Sequence, residues 1–276
     1  MAYDSILVRY GEMFLKSGNL YYFENKLVQN IKVLTGLSTI IKLRGRFILP
    51  YFPNHCFLQR VFGISSYSLA YTAEKSLEAI QEKSLALLPG KCGAFKVETR
   101  RSDKRFPLPS LQISAEVGKF IEAKTKWQFD FAHPRVMIYI EINNKRAYLY
   151  TETIAGLGGL PVGTAGKVHL LLEDEADLLA GLLMMKRGGE IIPLLMGKEK
   201  DISLLQKFSP KKIEAVDIGH TSDLSKYLLK NNISVLVSGD NFEGRERYDF
   251  PAVIFRPLVA YSVERIGEGL ERYRNV

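Results

Sequence analysis

Residues 168–172, VHLLL, make a short apolar run of the kind that becomes a buried parallel strand, and ADLLAGLLMMKRG follows at 176–188 with helical composition. A strand that feeds straight into a helix leaves the connecting turn at its carboxyl end, where open α/β sheets receive ligands. The same alternation recurs downstream in EIIPLLMG, DISLLQKFS, KIEAVDIG, LSKYLLKN, ISVLVSG and AVIFRPLV. Repeated β–α order predicts a doubly wound parallel sheet over residues 166–276. The first connecting turn, however, reads Glu173, Asp174, Glu175, Ala176, Asp177. A phosphate loop needs glycines, accessible backbone N–H groups and positive charge, and this turn supplies carboxylates instead. Such acids complement a helix N-terminus and cap its free N–H groups; the other reading is a metal-bridged catalytic role.

The first 165 residues are organised differently. SILVRYG reads as a strand, NLYYFENKLVQNIKVLTG as a helix ending at a glycine, STIIKLRGRFILPYF as strand material turning near Gly45, and HCFLQRVFG as a short helix. From Ser76, SLEAIQEKSLALL is a helix, AFKVETRRS a strand and LQISAEVGKFIEAKTK a helix. RVMIYIEINNKRAYLYTE is two strands about the Asn143–Asn144 turn. Three α/β domains are expected, at 1–72, 73–165 and 166–276, with the glycine-rich stretch 156–166 separating the last two.

Charge divides along the same line. Residues 1–165 hold 22 Lys and Arg against 13 Asp and Glu, while 166–276 hold 16 against 17, so a net +9 meets a net −1. A polyanion, most naturally nucleic acid, is the partner expected of the first part. FKVETRRSDKRFP concentrates the charge, placing Lys96, Arg100, Arg101, Lys104 and Arg105 on and just after one strand, with Phe95 and Phe106 beside them. Cations there neutralise phosphates, and aromatics stack on bases or pack inward.

Other chemistries fail on spacing. GLGGLP has Pro161 where a dinucleotide fingerprint needs its third glycine, and Gly166-Lys167 is followed by Val168 rather than Ser or Thr. His55, His133, His169 and His220 lack zinc-ligand spacing, and there is no GxSxG elbow. Cys56 and Cys92 have no CxxC spacing and are expected to be buried small hydrophobes. No apolar run reaches membrane-spanning length and no secretory leader opens the chain, so a soluble cytoplasmic protein is expected.

With these residues identified, the chain resembles the tRNA 4-thiouridine synthetases, the ThiI family of tRNA sulfurtransferases. ILVRYGEMFLKSGN is similar to their amino-terminal ferredoxin-like domain, FKVETRRSDKRFPLPS to their THUMP domain, and GLGGLPVGTAGKVHLLL with LLMMKRG to the entry of their pyrophosphatase-like ATP domain. The resemblance implies that Lys96, Arg100, Arg101, Lys104 and Arg105 contact the acceptor end of tRNA. It also implies a reaction in which ATP adenylates a uridine and persulfide sulfur replaces the activated oxygen. The family's SGGxDS loop aligns with EDEADL, leaving Asp177 as the match to its aspartate, and the third segment holds no cysteine. The expectation is therefore a tRNA-binding relative without autonomous thiolation and with no cofactor, acting beside a separate thiolation enzyme or sulfur donor. Two alternatives stand beside it. One is an active sulfurtransferase that uses Mg-ATP, Asp177 and sulfur supplied in trans; the other is an interaction module presenting Glu173, Asp174 and Glu175 to a basic partner.

Overall fold

The computed structural model describes residues 3–15, 17–197, 200–242 and 251–276. It is a mixed α/β protein whose elements, in chain order, begin β1 (Ser5–Tyr10), α1 (Leu20–Thr35), β2 (Ile41–Leu43), β3 (Arg46–Pro50), β4 (Ile64–Ala73), α2 (Leu77–Leu85) and β5 (Cys92–Arg101). They continue with α3 (Ser110–Lys124), β6 (Lys126–Phe129), β7 (Val136–Ile142), β8 (Ala147–Tyr150), β9 (Ile154–Ala155), β10 (Lys167–Leu172), α4 (Glu175–Lys186) and β11 (Glu190–Leu195). The last are α5 (Ser203–Phe208), β12 (Val216–Asp217), α6 (Thr221–Lys230), β13 (Val235–Val237), β14 (Val253–Phe255) and α7 (Val263–Arg274).

The chain forms two compact units that cut across the three linear segments. The first gathers Met1–Arg9, Thr39–Pro53 and Tyr67–Ile154; the second gathers Tyr10–Ser38, Asn54–Ser66 and Ala155–Val276.

The first unit is built on one sheet with the order β2-β3-β1-β4-β8-β7-β5-β6. The hairpins β2–β3 and β7–β8 are antiparallel, whereas β5 runs parallel to both β6 and β7. Alternation along β5 turns Phe95, Val97 and Thr99 inward, where they join Ile138, Ile140, Ile142 and Leu149 in a core with Ile80 of α2 and Ile113, Val117 and Ile121 of α3. Trp127 is fully buried, and a Cβ on Gly93 would lie 2.6 Å from its ring, so that close approach requires a glycine. On the other face, Glu141 of β7 accepts from Arg9 at 3.0 Å, Arg46 at 3.1 Å and the Tyr150 hydroxyl at 2.8 Å. Burial alone would raise the Glu141 pKa; Arg46 and Arg9, with the Tyr150 hydrogen bond, overcome it and hold the carboxylate below its ordinary value. Tyr139 stacks on Tyr150, and Arg9 lies over the Tyr150 ring at 4.8 Å.

The second unit carries a parallel sheet with the order β12-β11-β10-β13-β14. The chain steps outward from β10 to β11 and β12, then returns to the opposite side of β10 for β13 and β14. The topological switch therefore falls between β10 and β13. Helix α4 is buried along most of its length, as its nearly all-apolar sequence requires. Phe62, Phe208 and Tyr273 meet at centroid distances of 5.5–6.2 Å within the same core.

The glycine-rich stretch before β10 is not a free linker. Leu160 N–H donates to Lys186 at 2.9 Å, Gly163 N–H to Gly188 at 2.8 Å, and Glu190 N–H to Gly166 at 2.8 Å. The Asn30 side chain of α1 adds a bond to the Val162 carbonyl at 3.0 Å. Gly159 sits at φ +80°, and a Cβ there would lie 2.3 Å from the Lys186 carbonyl oxygen. These glycines let two backbone segments touch, and the strand-like hydrogen bonding fixes the entry to β10.

Candidate functional site

The basic segment of the first unit starts on β5 and continues into the turn before α3. Its five cations are unequally available. Lys96 lies over the Phe131 ring at 3.7 Å, and Arg100 pairs with Glu98 at 2.8 Å on the same sheet face. Arg101 donates to the carbonyl of Phe106 at 2.9 Å and to that of Lys104 at 3.5 Å, and so ties the turn into a loop. Arg105 pairs with Asp103 at 2.9 Å; Lys75 reaches the same carboxylate at 2.8 Å. The two cations hold Asp103 well below the ordinary carboxylate range, and Arg105 contributes most. Phe106 is buried and Phe95 fully so, which settles both as core residues rather than stacking surfaces. Of the five, Lys104 is the one whose exposed side chain has no hydrogen-bond, ionic or aromatic partner among the described residues. Phe131 and Phe129, which sequence reasoning passed over, are the exposed aromatics beside β5. Their signal was the FDFAH run that begins at the last residue of β6.

The second unit presents its switch point at the carboxyl ends of β10 and β13. Asp174 is the N-cap of α4: its side chain accepts from Ala176 N–H at 2.8 Å and Asp177 N–H at 3.4 Å. Asp177 closes the capping box in return, with Oδ2 accepting from the N–H groups of Asp174 at 3.0 Å and Glu173 at 2.8 Å. Its Oδ1 accepts from Gly239 N–H, just past β13, at 2.5 Å. The side chain thus bridges the two strands of the switch point. Asp177 is only 4% exposed, and burial pushes its pKa up to about 6 against the three backbone N–H groups that favour the carboxylate. A Cβ on Gly239 would lie 2.5 Å from the Asp177 nitrogen, so only glycine admits this contact. The SGD triplet after an apolar run was the available sign of Gly239.

The remaining acids of the turn face a cleft of about 560 Å³ that also takes in Lys200, Lys207 and Arg274. Lys200 donates to the Glu173 carbonyl at 2.7 Å, Arg274 pairs with Glu175 at 2.9 Å, and Lys207 caps the end of α7 through the Arg274 carbonyl at 2.9 Å. The crevice is therefore charge-compensated rather than uniformly acidic. Among the described residues no group of three His, Cys, Asp or Glu side chains is disposed to hold a metal ion, and no helix is long and apolar enough to cross a membrane. Cys56 and Cys92 are both exposed, contrary to the burial expected from their isolation in the sequence. Cys56 sits in the surface 3-10 turn His55–Arg60, where Leu58 is the residue directed inward. Cys92 opens β5 at the sheet's end, ahead of the alternation that buries Phe95.

Comparison with known proteins places these features in context. Residues 74–152 match the THUMP domain, and residues 5–68 match the ThiI ferredoxin-like domain. A probable tRNA sulfurtransferase of Moorella thermoacetica is 41% identical over 203 residues, covering 70% of this chain and 52% of that protein. One from Mycoplasmopsis agalactiae is 34% identical over 257 residues, covering 89% and 65%. The chain thus spans about half to two thirds of the length of these relatives. Among solved structures, PH1313 from Pyrococcus horikoshii superposes with a TM-score of 0.82 at 32% identity over 98% of this chain and 99% of its own. A 4-thiouridine synthetase in complex with RNA and ATP superposes with a TM-score of 0.82 at 22% identity over 98% and 85%, sharing the fold.

Proposed function

The chain belongs to the ThiI family of THUMP-containing tRNA sulfurtransferases, and on that premise we propose that it is a tRNA-binding protein whose nucleotide crevice no longer carries out ATP-dependent thiolation. The observation that carries the second half is the Asp177 carboxylate. In a nucleotide site of this sheet type, backbone N–H groups at the switch point face the phosphates. Here the N–H groups of Glu173, Asp174 and Gly239 are all directed at one internal anion. A phosphate entering that position displaces a buried side chain and meets the carboxylates of Glu173 and Asp174 at the mouth. At an effective dielectric near 20, each like-charge pair about 4 Å apart costs roughly 4 kcal/mol.

The first half rests on the THUMP match at 74–152, the basic segment inside it, and the RNA held by the synthetase of the same fold. Lys104 is the cation most open to a phosphate, with Lys96 and Phe131 forming a second contact on the sheet. Arg100, Arg101 and Arg105 keep N–H donors to offer while their present partners hold them in place. The acceptor end of tRNA is the segment engaged, and a separate thiolation enzyme or sulfur donor supplies whatever chemistry follows. The test is a titration of the full chain with bulk tRNA and, separately, with Mg-ATP. The reading expects salt-dependent tRNA binding and no saturable nucleotide binding. ATP binding that is lost on substitution of Asp177 would overturn the crevice assignment.

A further inference from the structure

A second concentration of positive charge lies in the unit whose sequence is nearly neutral. Two adjoining cavities of about 490 and 370 Å³ share Leu183, Lys186 and Tyr261 in their walls. Between them they collect Lys186 and Arg187 from the end of α4 and Arg265 and Arg272 from α7, against only Glu12 and Glu268. Among the described residues none of these four cations has an ion-pair partner. Lys186 is half-buried, and burial, with Arg272 and Arg187 nearby, lowers its pKa despite Glu12.

Three of the cations have an ordinary structural explanation, because positive charge in the last turn complements a helix dipole. Arg265 does not. It lies in the first turn of α7, where a cation opposes the dipole, and its guanidinium is held over the Tyr261 ring at 4.0 Å. Phe255, half exposed, lines the same groove. Unpaired cations on both walls, with aromatic rings between them, match an extended phosphate chain carrying flat apolar groups better than one compact anion.

We propose that this groove, formed by Lys186, Arg187, Arg265, Arg272 and Tyr261, is a second RNA-binding surface that takes a phosphodiester strand of the tRNA engaged by the first unit. The assignment rests on the tRNA reading above, and the experiment separates the two. Bulk tRNA is titrated against the unsubstituted chain, Lys104→Ala, Arg265→Glu/Arg272→Glu and Arg265→Gln/Arg272→Gln over a range of salt, with thermal melts as the folding control. Arg265 and Arg272 are exposed, so both double variants should melt as the parent does. The groove predicts that both double variants bind about tenfold or more weakly near 0.1 M salt, with a salt slope lower by about two units, since each lost phosphate contact removes about 0.9. Unchanged affinity and slope in the double variants, with a reduced slope in Lys104→Ala, would overturn the groove and leave the tRNA reading intact. Stabilisation of the parent by inorganic pyrophosphate, lost in the double variants while tRNA affinity is unchanged, would reassign it to a compact anion. Absence of tRNA binding by the parent overturns the functional reading itself, and the groove with it.

Discussion

Replacing Asp177 with alanine should damage the fold of the second unit in a way that is local and dependent on pH. The change leaves three backbone donors, on Glu173, Asp174 and Gly239, without their acceptor. At a net value of about 1 kcal/mol for each hydrogen bond, the loss is about 3 kcal/mol. The carboxyl group adds a pH dependence because burial raises its pKa in the fold to about 6 from an ordinary value of 3.8. A raised pKa means that the native state holds the proton more tightly. The stabilising contribution is therefore complete below pH 3.8 and lost as pH rises through 6. Between pH 5 and pH 7 that amounts to about 1.3 kcal/mol, so the penalty of the alanine variant should be larger at pH 5 by about that amount. Hydrogen exchange read at the three amides, together with urea melts at both pH values, measures it. Unchanged exchange at Gly239 and a loss below about 1 kcal/mol at both pH values would refute the bridging role, and with it the argument that the crevice is filled from within.

Three further outcomes follow from named contacts. Lys104→Ala should lower the salt slope of tRNA binding by about one unit without affecting the melt, whereas Arg101→Ala should also loosen the loop that it ties to the Phe106 carbonyl, which limited proteolysis after Lys104 or Arg105 would report. Gly159→Ala combines an unfavourable positive φ with a Cβ 2.3 Å from a carbonyl oxygen, and should cost about 2 kcal/mol or more in a urea melt. Glu141→Gln leaves Arg9 and Arg46 on the sheet without their shared countercharge, and should cost about 2–3 kcal/mol at neutral pH. Because the folded pKa of Glu141 is lowered, its contribution is present above its ordinary pKa of 4.5 and lost as pH falls through the folded value, so parent and variant should converge in acid.

The parallel sheet of the second unit was legible because VHLLL, EIIPLL and ISVLV are apolar runs separated by helical spacing and glycine stops. The Asn143–Asn144 turn and Gly45 in the first unit, and the glycine end at Gly36 in the second, marked boundaries that the structure reproduces, and both glycines adopt positive φ. What escaped had weak local signals. The ten-residue β4, ISSYSLAYTA, alternates Ser and Tyr rather than charge and hydrocarbon, and its burial comes from neighbours distant in sequence. Helix α7 contains Gly267 and Gly269, which lower helix propensity. Gly269 lets α7 approach α4 closely, since a Cβ there would lie 2.8 Å from the end of the Leu179 side chain. The compact units were hidden as well, because the 155–166 stretch is held to the end of α4 and the turn after it by long-range backbone hydrogen bonds, and α1 reaches that stretch through the Asn30 side chain.

The basic segment was legible as a location but not as a set of equivalent contacts. Charge counting cannot foresee that Asp103 and Glu98 neutralise two of its arginines or that Arg101 is turned onto a loop carbonyl. The acids at 173–177 were legible as a helix cap, whereas the reach of Asp177 to Gly239 required the strand order.

The most direct test of the central claim is AMP release from Mg-ATP by the full chain, with bulk tRNA and a sulfide donor present and a control lacking tRNA. The account predicts no tRNA-dependent AMP from protein shown in the same tube to bind tRNA. AMP formation that requires tRNA and disappears in Asp177→Ala, while that variant remains folded at the assay pH, would contradict it and restore the crevice as an adenylation site.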